Sequence, residues 1–288
     1  MSMKTFLLAS LALAVSATAA EKIKVLIVDG QNNHKWAMTT PLLKQILEEP
    51  GIFSVDVSTS PEKGKGIAAW QPKFSDYAVV VSNYNGELWS PATQEAFEKF
   101  VSGGGGFVPV HAADNSFPEW VAYNEMIGVG GWGGRTEKSG PYLRWRDGKW
   151  TMDTSPGRGG SHGKQHEFVL TNRAPSHPIM QGLPPAFMHR QDELYSSLRG
   201  PAKDVTILAS AMSPKEAGGS GEEEPLLMAI PFGKGRVFHT AIGHGEEAVK
   251  CEAFAVTFQR GTEWAATGKV TQKVPAGFPD EKASKARP

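Results

Sequence analysis

The stretch Lys22-Ile23-Lys24-Val25-Leu26-Ile27-Val28-Asp29-Gly30 decides the fold class. From Val25 to Val28 no polar residue interrupts it, and a glycine turn follows at once. This near-continuous apolar run is the pattern of a strand buried on both faces of a parallel sheet. A helix follows, because Leu42, Leu43, Ile46 and Leu47 recur at helical spacing between Met38 and Glu49 before Pro50-Gly51 stops the run. Phe53 to Ser58 and Tyr77 to Ser82 read as the next two strands. Pro91 to Ser102 reads as an amphipathic helix with proline in its first turn, and Phe107 to His111 as a fourth strand. Strands alternating with helices through right-handed crossovers predict a three-layer α/β domain. Its sheet should be doubly wound and mostly parallel, with ligands outside the carboxyl ends of the strands.

Beyond that half, the stretch from Gly128 to Gly163 is rich in glycine, tryptophan and arginine and shows little periodicity, which predicts a long functional loop. Strand signals return at Glu167 to Thr171, Val205 to Ala209, Pro225 to Pro231 and Gly235 to Thr240, and Cys251 to Ala266 reads as a closing helix. One domain over residues 21–270 is expected, followed by a loosely held tail, 271–288, rich in lysine, proline and alanine. At the other end, residues 2–20 combine Lys4, an apolar run from Phe6 to Val15 and a small-residue exit at Ser16 to Ala20. That is a secretory signal peptide, cleaved near Ala19 or Ala20, and it predicts a periplasmic or secreted protein. No later run approaches the ~20 apolar residues of a spanning helix, so stable membrane insertion is not expected.

Lysine plus arginine and aspartate plus glutamate number 30 each among 288 residues, so no global field recruits nucleic acid or anionic membrane. Small neutral partners are expected, and self-association into a homo-oligomer is left open. The single cysteine, Cys251, can form no internal disulfide and reads as a buried small hydrophobe.

The polar chemistry is carried by eight histidines, at 34, 111, 162, 166, 177, 189, 239 and 244. His111 ends the fourth strand beside Asp114 and Asn115, where this architecture places reactive groups and where imidazole is readily tuned near neutral pH. His162 and His166 lie four apart among Gly157, Gly159, Gly160 and Gly163, a loop that can bring both rings to one zinc-like divalent ion. His189 neighbours Asp192 and Glu193 on an extended segment, where adjacent side chains oppose one another, so one carboxylate of the two is expected to enter the site. His244, flanked by glycines after the last strand, is a better candidate than His239, and for His177, held extended by Pro178, a structural role is favoured. Trp120, Trp132, Trp145 and Trp150, with Arg135 and Arg144 nearby, offer aromatic faces and cations suited to sugars. No serine or cysteine sits at a strand-turn-helix elbow, which weighs against covalent acyl chemistry.

Together the segments KVLIVDG, GGGGFVPVHAADNSF, GGWGGR, GGSHGKQHEF, HPIMQGLP, DELY and GKGRVFHTAIGH, in this order, resemble the ThuA-like family, named for trehalose utilisation. The resemblance covers roughly residues 22–268. It implies a flavodoxin-like sheet related to class I glutamine amidotransferases, although the amidotransferase cysteine is missing from the elbow. It also implies a role in sugar catabolism and a functional link to a sugar 3-dehydrogenase that makes 3-keto sugars. The expected activity is elimination, net hydrolysis or isomerisation of a keto sugar or 3-keto-glycoside. His111, Asp114, Asp192, Glu193 and His244 are the catalytic candidates, with His111 or Glu193 as base. Asn115, Trp132, Arg135 and His189 are the substrate contacts, and His162 and His166 hold a divalent metal. The competing expectation is a noncatalytic carbohydrate-binding or scaffold protein on the same fold.

Overall fold

The first strand, β1 (Ile23–Asp29), has both faces covered from Val25 onward, as its unbroken apolar run requires. It is seen in a computed structural model that describes residues 21–287; the expected signal peptide lies outside these residues. The chain continues through α1 (Trp36–Glu48), β2 (Phe53–Thr59), β3 (Val79–Ser82), α2 (Pro91–Ser102), β4 (Gly106–Pro109) and α3 (Val121–Ile127). It then forms β5 (Tyr142–Arg146), β6 (Lys149–Asp153), β7 (His166–Asn172), β8 (Ala186–Asp192), β9 (Thr206–Met212), β10 (Glu223–Phe232), β11 (Gly235–Thr240), α4 (Glu246–Val249) and α5 (Glu252–Thr267). The Ser90 hydroxyl accepts from the Thr93 amide at the start of α2, with Pro91 in the first turn, so that helix begins where the sequence signals it.

Among the described residues, one nine-stranded sheet runs β2-β1-β3-β4-β11-β10-β9-β7-β8. The sheet is mixed rather than mostly parallel. Strands β2, β1, β3, β4 and β11 pair in parallel, whereas β11, β10, β9, β7 and β8 pair antiparallel. The reason is local: β10 and β11 are joined by a tight Gly233-Lys234 turn, which only an antiparallel pair accepts. Helices cover both faces. On β4, a Cβ added at Gly106 would strike the Ala265 backbone of α5, while the next residue, Phe107, packs on Phe97 of α2 and Tyr123 of α3.

The stretch 128–163, expected to be irregular, contains the β5–β6 hairpin, in which Trp145 opposes Trp150. Long charged side chains mask its alternation in the sequence. Arg144 is buried against Glu224 at 2.9 Å and therefore holds the hairpin to β10 rather than meeting a ligand. The carboxy-terminal tail is not loose. Phe278 stacks edge-on against Phe187, the Asp280 carbonyl accepts from the Met188 amide at 2.7 Å, and Lys285 and Arg287 bond to the backbone at Glu252 and Lys250. No helix among the described residues is long and apolar enough to cross a membrane.

Candidate metal centre

Three parallel strands end at one edge of the sheet, and each is followed by a histidine: β1 by His34, β4 by His111 and β11 by His244. The alternation of pairings makes β8 run in the same sense as β11, so Glu193, directly after β8, reaches that edge too. One donor atom from each of His34, His111, Glu193 and His244 lies within 4.8 Å of every other. From Glu193 Oε2 the distances are 2.9 Å to His244 Nδ1, 3.5 Å to His111 Nε2 and 3.7 Å to His34 Nε2. Ligands about 2.0–2.2 Å from an ion stand roughly 3.0–3.6 Å apart in octahedral or tetrahedral arrangements, and the three distances from Glu193 lie close to that range.

The way these nitrogens point is more telling than their separation. His111 Nε2 and His244 Nδ1 are buried and, in spite of the nearby carboxylate, make no hydrogen bond of acceptable geometry; on His34, Nδ1 is unpartnered, and Nε2, which faces Glu193, lies 3.4 Å from Asn33 Nδ2. Buried imidazole nitrogens left unpaired are costly, and grouped in this way they make a donor set able to hold a cation. The donor set of three imidazoles and one carboxylate suits zinc or a similar divalent ion.

Each donor is held from behind. His111 sits at φ 47°, in the left-handed region that costs a non-glycine residue about 1–3 kcal/mol, a strain common at functional sites. Its Nδ1 bonds the Ala241 carbonyl at 2.8 Å and its ring stacks on Tyr195 at 4.0 Å. The Asp192 carboxylate accepts from the amides of Glu193, Gly243 and His244 and from His189 Nε2 at 2.8 Å, so it fixes two donors at once. Burial opposes the charge of Glu193, but the adjoining His111 and His244 rings outweigh it and hold the carboxyl well below its usual range. Burial and the neighbouring His111 and His244 push His34 down to about 4, which keeps it neutral and able to coordinate.

His162 stands at the rim. Its Nδ1 bonds the Gly163 carbonyl, and its Nε2 lies 3.8 Å from Glu193 Oε2, outside the tight four-donor group. The side chain is 37% exposed, against 3% for His111. Trp132 packs on both His162 and Tyr195, which places it in the same wall. His166 does not converge with His162: its Nδ1 turns back to the Lys164 carbonyl and its ring packs on Phe168. Three other expected contacts are structural. Arg135 is buried with its guanidinium donating to the carbonyls of Asn115, Ser116 and Gly131 and to Asn124 Oδ1, which leaves nothing for a substrate. His189 is fully buried beneath Asp192, and Asp114 is buried against His239 at 3.2 Å. Asp192 faces backbone amides rather than the shared donor space, and Asn115 reaches the site through the Tyr195 hydroxyl. His34 and Tyr195 carry no role in the sequence expectation, yet His34 obeys the rule that singles out His111, lying in the loop beyond a buried parallel strand.

Residues 24–265 match the ThuA family profile, described as trehalose utilisation. The chain belongs to the ThuA family. It is similar to a ThuA-like protein from Parabacteroides merdae, at 48% identity and TM-score 0.91, over 93% of this chain and 98% of that one. A ThuA-like protein from Bacteroides uniformis shares the fold at 19% identity and TM-score 0.58, over 90% and 97% of the two chains. A β-galactosidase from Bacillus circulans matches at TM-score 0.50 and 14% identity over 90% of this chain but 33% of that one, a likeness of fold alone. No match is found among curated proteins.

Proposed function

We propose that this ThuA-family chain is a metal-assisted enzyme of sugar catabolism that acts, after export, on a keto sugar or 3-keto-glycoside. The observation that carries the reading is the convergence of His34, His111, Glu193 and His244, in which the buried His111 Nε2 and His244 Nδ1 have no hydrogen-bond partner. These four residues would hold the ion. A divalent ion in this position supplies a Lewis acid for a sugar ketone oxygen.

His162 is the group placed to move protons. Its Nδ1 donates to the Gly163 carbonyl, which leaves Nε2 as an acceptor at the open side of the donor cluster. In a 3-keto-glycoside the C2 proton is acidified by the neighbouring carbonyl. Nε2 removes it, and the electron pair forms the C2–C3 enediolate. Re-formation of the C3 carbonyl then creates the C1–C2 double bond and breaks the C1–O bond, and the departing alkoxide takes the proton back from His162. Addition of water across C1–C2 gives net hydrolysis; alternatively, passage of the O2 proton to O3 and return of the abstracted proton to C3 give the isomerised 2-ketone. The ketone itself must come from an oxidoreductase working at C3.

Metal analysis of the purified protein should find about one divalent ion per chain. His111→Ala and His244→Ala should lose it, and His166→Ala should keep it. Incubation with 3-keto-trehalose or a 3-keto-glucoside should consume the keto sugar, and chelator should stop the reaction. A metal-free protein whose turnover ignores chelator sinks the assignment, and full turnover by His162→Ala removes that residue from proton transfer.

A further inference from the structure

A cleft of about 620 Å³ includes Asn33, the neighbour of His34, in its lining and is bounded also by Gln31, Asn32, Trp36, Asn85 and Glu87. It lies within the roughly 300–1,000 Å³ typical of small-molecule sites. We propose that it is a second saccharide subsite, which receives the leaving sugar of a disaccharide whose keto ring lies at the metal centre; this rests on the sugar reading given above.

Contact with the centre is direct. Asn33 Nδ2 is 3.4 Å from His34 Nε2, and the same nitrogen is 3.7 Å from Glu193 Oε2. Behind Asn33, Asn85 Nδ2 donates to Asn33 Oδ1 at 2.6 Å, so a row of amides leads from the donors into the cleft. Asn33 is thus shared between the cleft lining and the surroundings of His34.

The floor is preorganised. Gln31 is buried and engaged at both ends, its Nε2 donating to the Pro61 carbonyl at 2.8 Å and its Oε1 accepting from the Glu87 amide at 2.9 Å. A Cβ at Gly86 would lie 2.4 Å from Gln31, and one at Gly30, where φ is 108°, would lie 2.5 Å from the Ser60 carbonyl. Only glycine lets these backbones close around Gln31. Ordering such a floor in advance lowers what a ligand loses on binding.

The chemistry selects a neutral polyhydroxylated ligand. Amides donate and accept at one group, as sugar hydroxyls do, and half-buried Trp36 offers an apolar face to ring C–H bonds. The lining holds Glu62 and Glu87 against Lys63, so an anion such as a phosphate would meet more negative than positive charge.

Calorimetry with trehalose and with glucose tests the proposal on the purified protein, without requiring turnover. Trehalose should bind at least tenfold tighter than glucose. Trp36→Ala and, independently, Asn85→Ala should bring that ratio towards one. Equal affinities in the unaltered protein, no binding of either sugar, or a ratio that survives both substitutions overturns the subsite. Metal content is read on the same samples. Disaccharide preference without metal would overturn the metal centre and keep the subsite; metal without preference does the reverse.

Discussion

A single carboxylate, that of Asp192, determines where two of the four donors stand, because it accepts the amides of both Glu193 and His244. Burial works against its charge, but the hydrogen bond and charge of His189 outweigh it, and the carboxyl titrates below its ordinary range. Burial likewise disfavours the His189 imidazolium, yet Cys251 and Asp192 outweigh it and raise that ring to about 10. Asp192→Asn turns an amide towards at least one of the four donors that the carboxylate now serves. Removal of such an outer support typically costs roughly 10–100-fold in metal affinity, and a zinc titration of the folded variant should show a loss of that size. Unchanged affinity would leave Asp192 a purely structural anion. At this scale the site is only partly legible in the sequence. His111 and His244 stand out because each ends or follows a strand signal, Glu193 because it lies beside His189 and Asp192, and His34 obeys the strand rule. Arg135, His189 and His166 mislead because a sequence records that a cation or imidazole is near, whereas its direction is set by carbonyls and carboxylates from distant segments.

Among the elements, the β5–β6 hairpin is held to the sheet by buried Arg144 and Glu224. Burial raises Glu224 to about 7 in spite of the opposing arginine. A carboxyl with a folded value above its free value of about 4.5 binds its proton more tightly folded than unfolded. Its contribution to stability is therefore complete below about pH 4.5 and is lost as the pH rises towards 7. Melting temperatures measured from pH 4.5 to 7.5 should fall more steeply in the unaltered protein than in Glu224→Gln, and parallel profiles would show that Glu224 does not titrate in this window. The parallel half is legible as elements because β1, β3 and β4 are apolar runs and β2 alternates apolar with polar residues. The hairpin is hidden by its arginines, and β8, Ala-Phe-Met-His-Arg-Gln-Asp, by a polar second half whose burial comes from α4 and α5 packing over it.

Over the whole molecule, the tail closes the edge that β8 would otherwise expose, through the Met188–Asp280 bond and the packing of Phe278 on Phe187. A chain ending at Ala276 should lose about 2–3 kcal/mol from the uncovered Phe278 and Pro279, measured by urea unfolding. It should also aggregate with rising concentration, since a bare edge strand recruits other chains. Stability and solubility equal to the full chain would show the tail to be dispensable. Its composition resembles that of a free terminus because its partners, such as Glu263 for Thr271 and Gln272 and Glu252 for Arg287, lie on the α5 helix, and nothing in the tail's own residues records them.

The pairing of β4 with β11 joins residues 106–107 to 236–237. A growing chain can complete β1, β2, β3 and β4 early, but the fourth strand keeps an open edge until some 130 further residues have been made. The proposed metal donors span the same interval, from 34 to 244, so no nascent fragment contains the full set. Synthesis and loading are thereby separated in time. Under the proposed export of an unfolded chain they would be separated in space as well, and the proposed ion would be drawn from the supply of the destination compartment rather than from that of the cytoplasm.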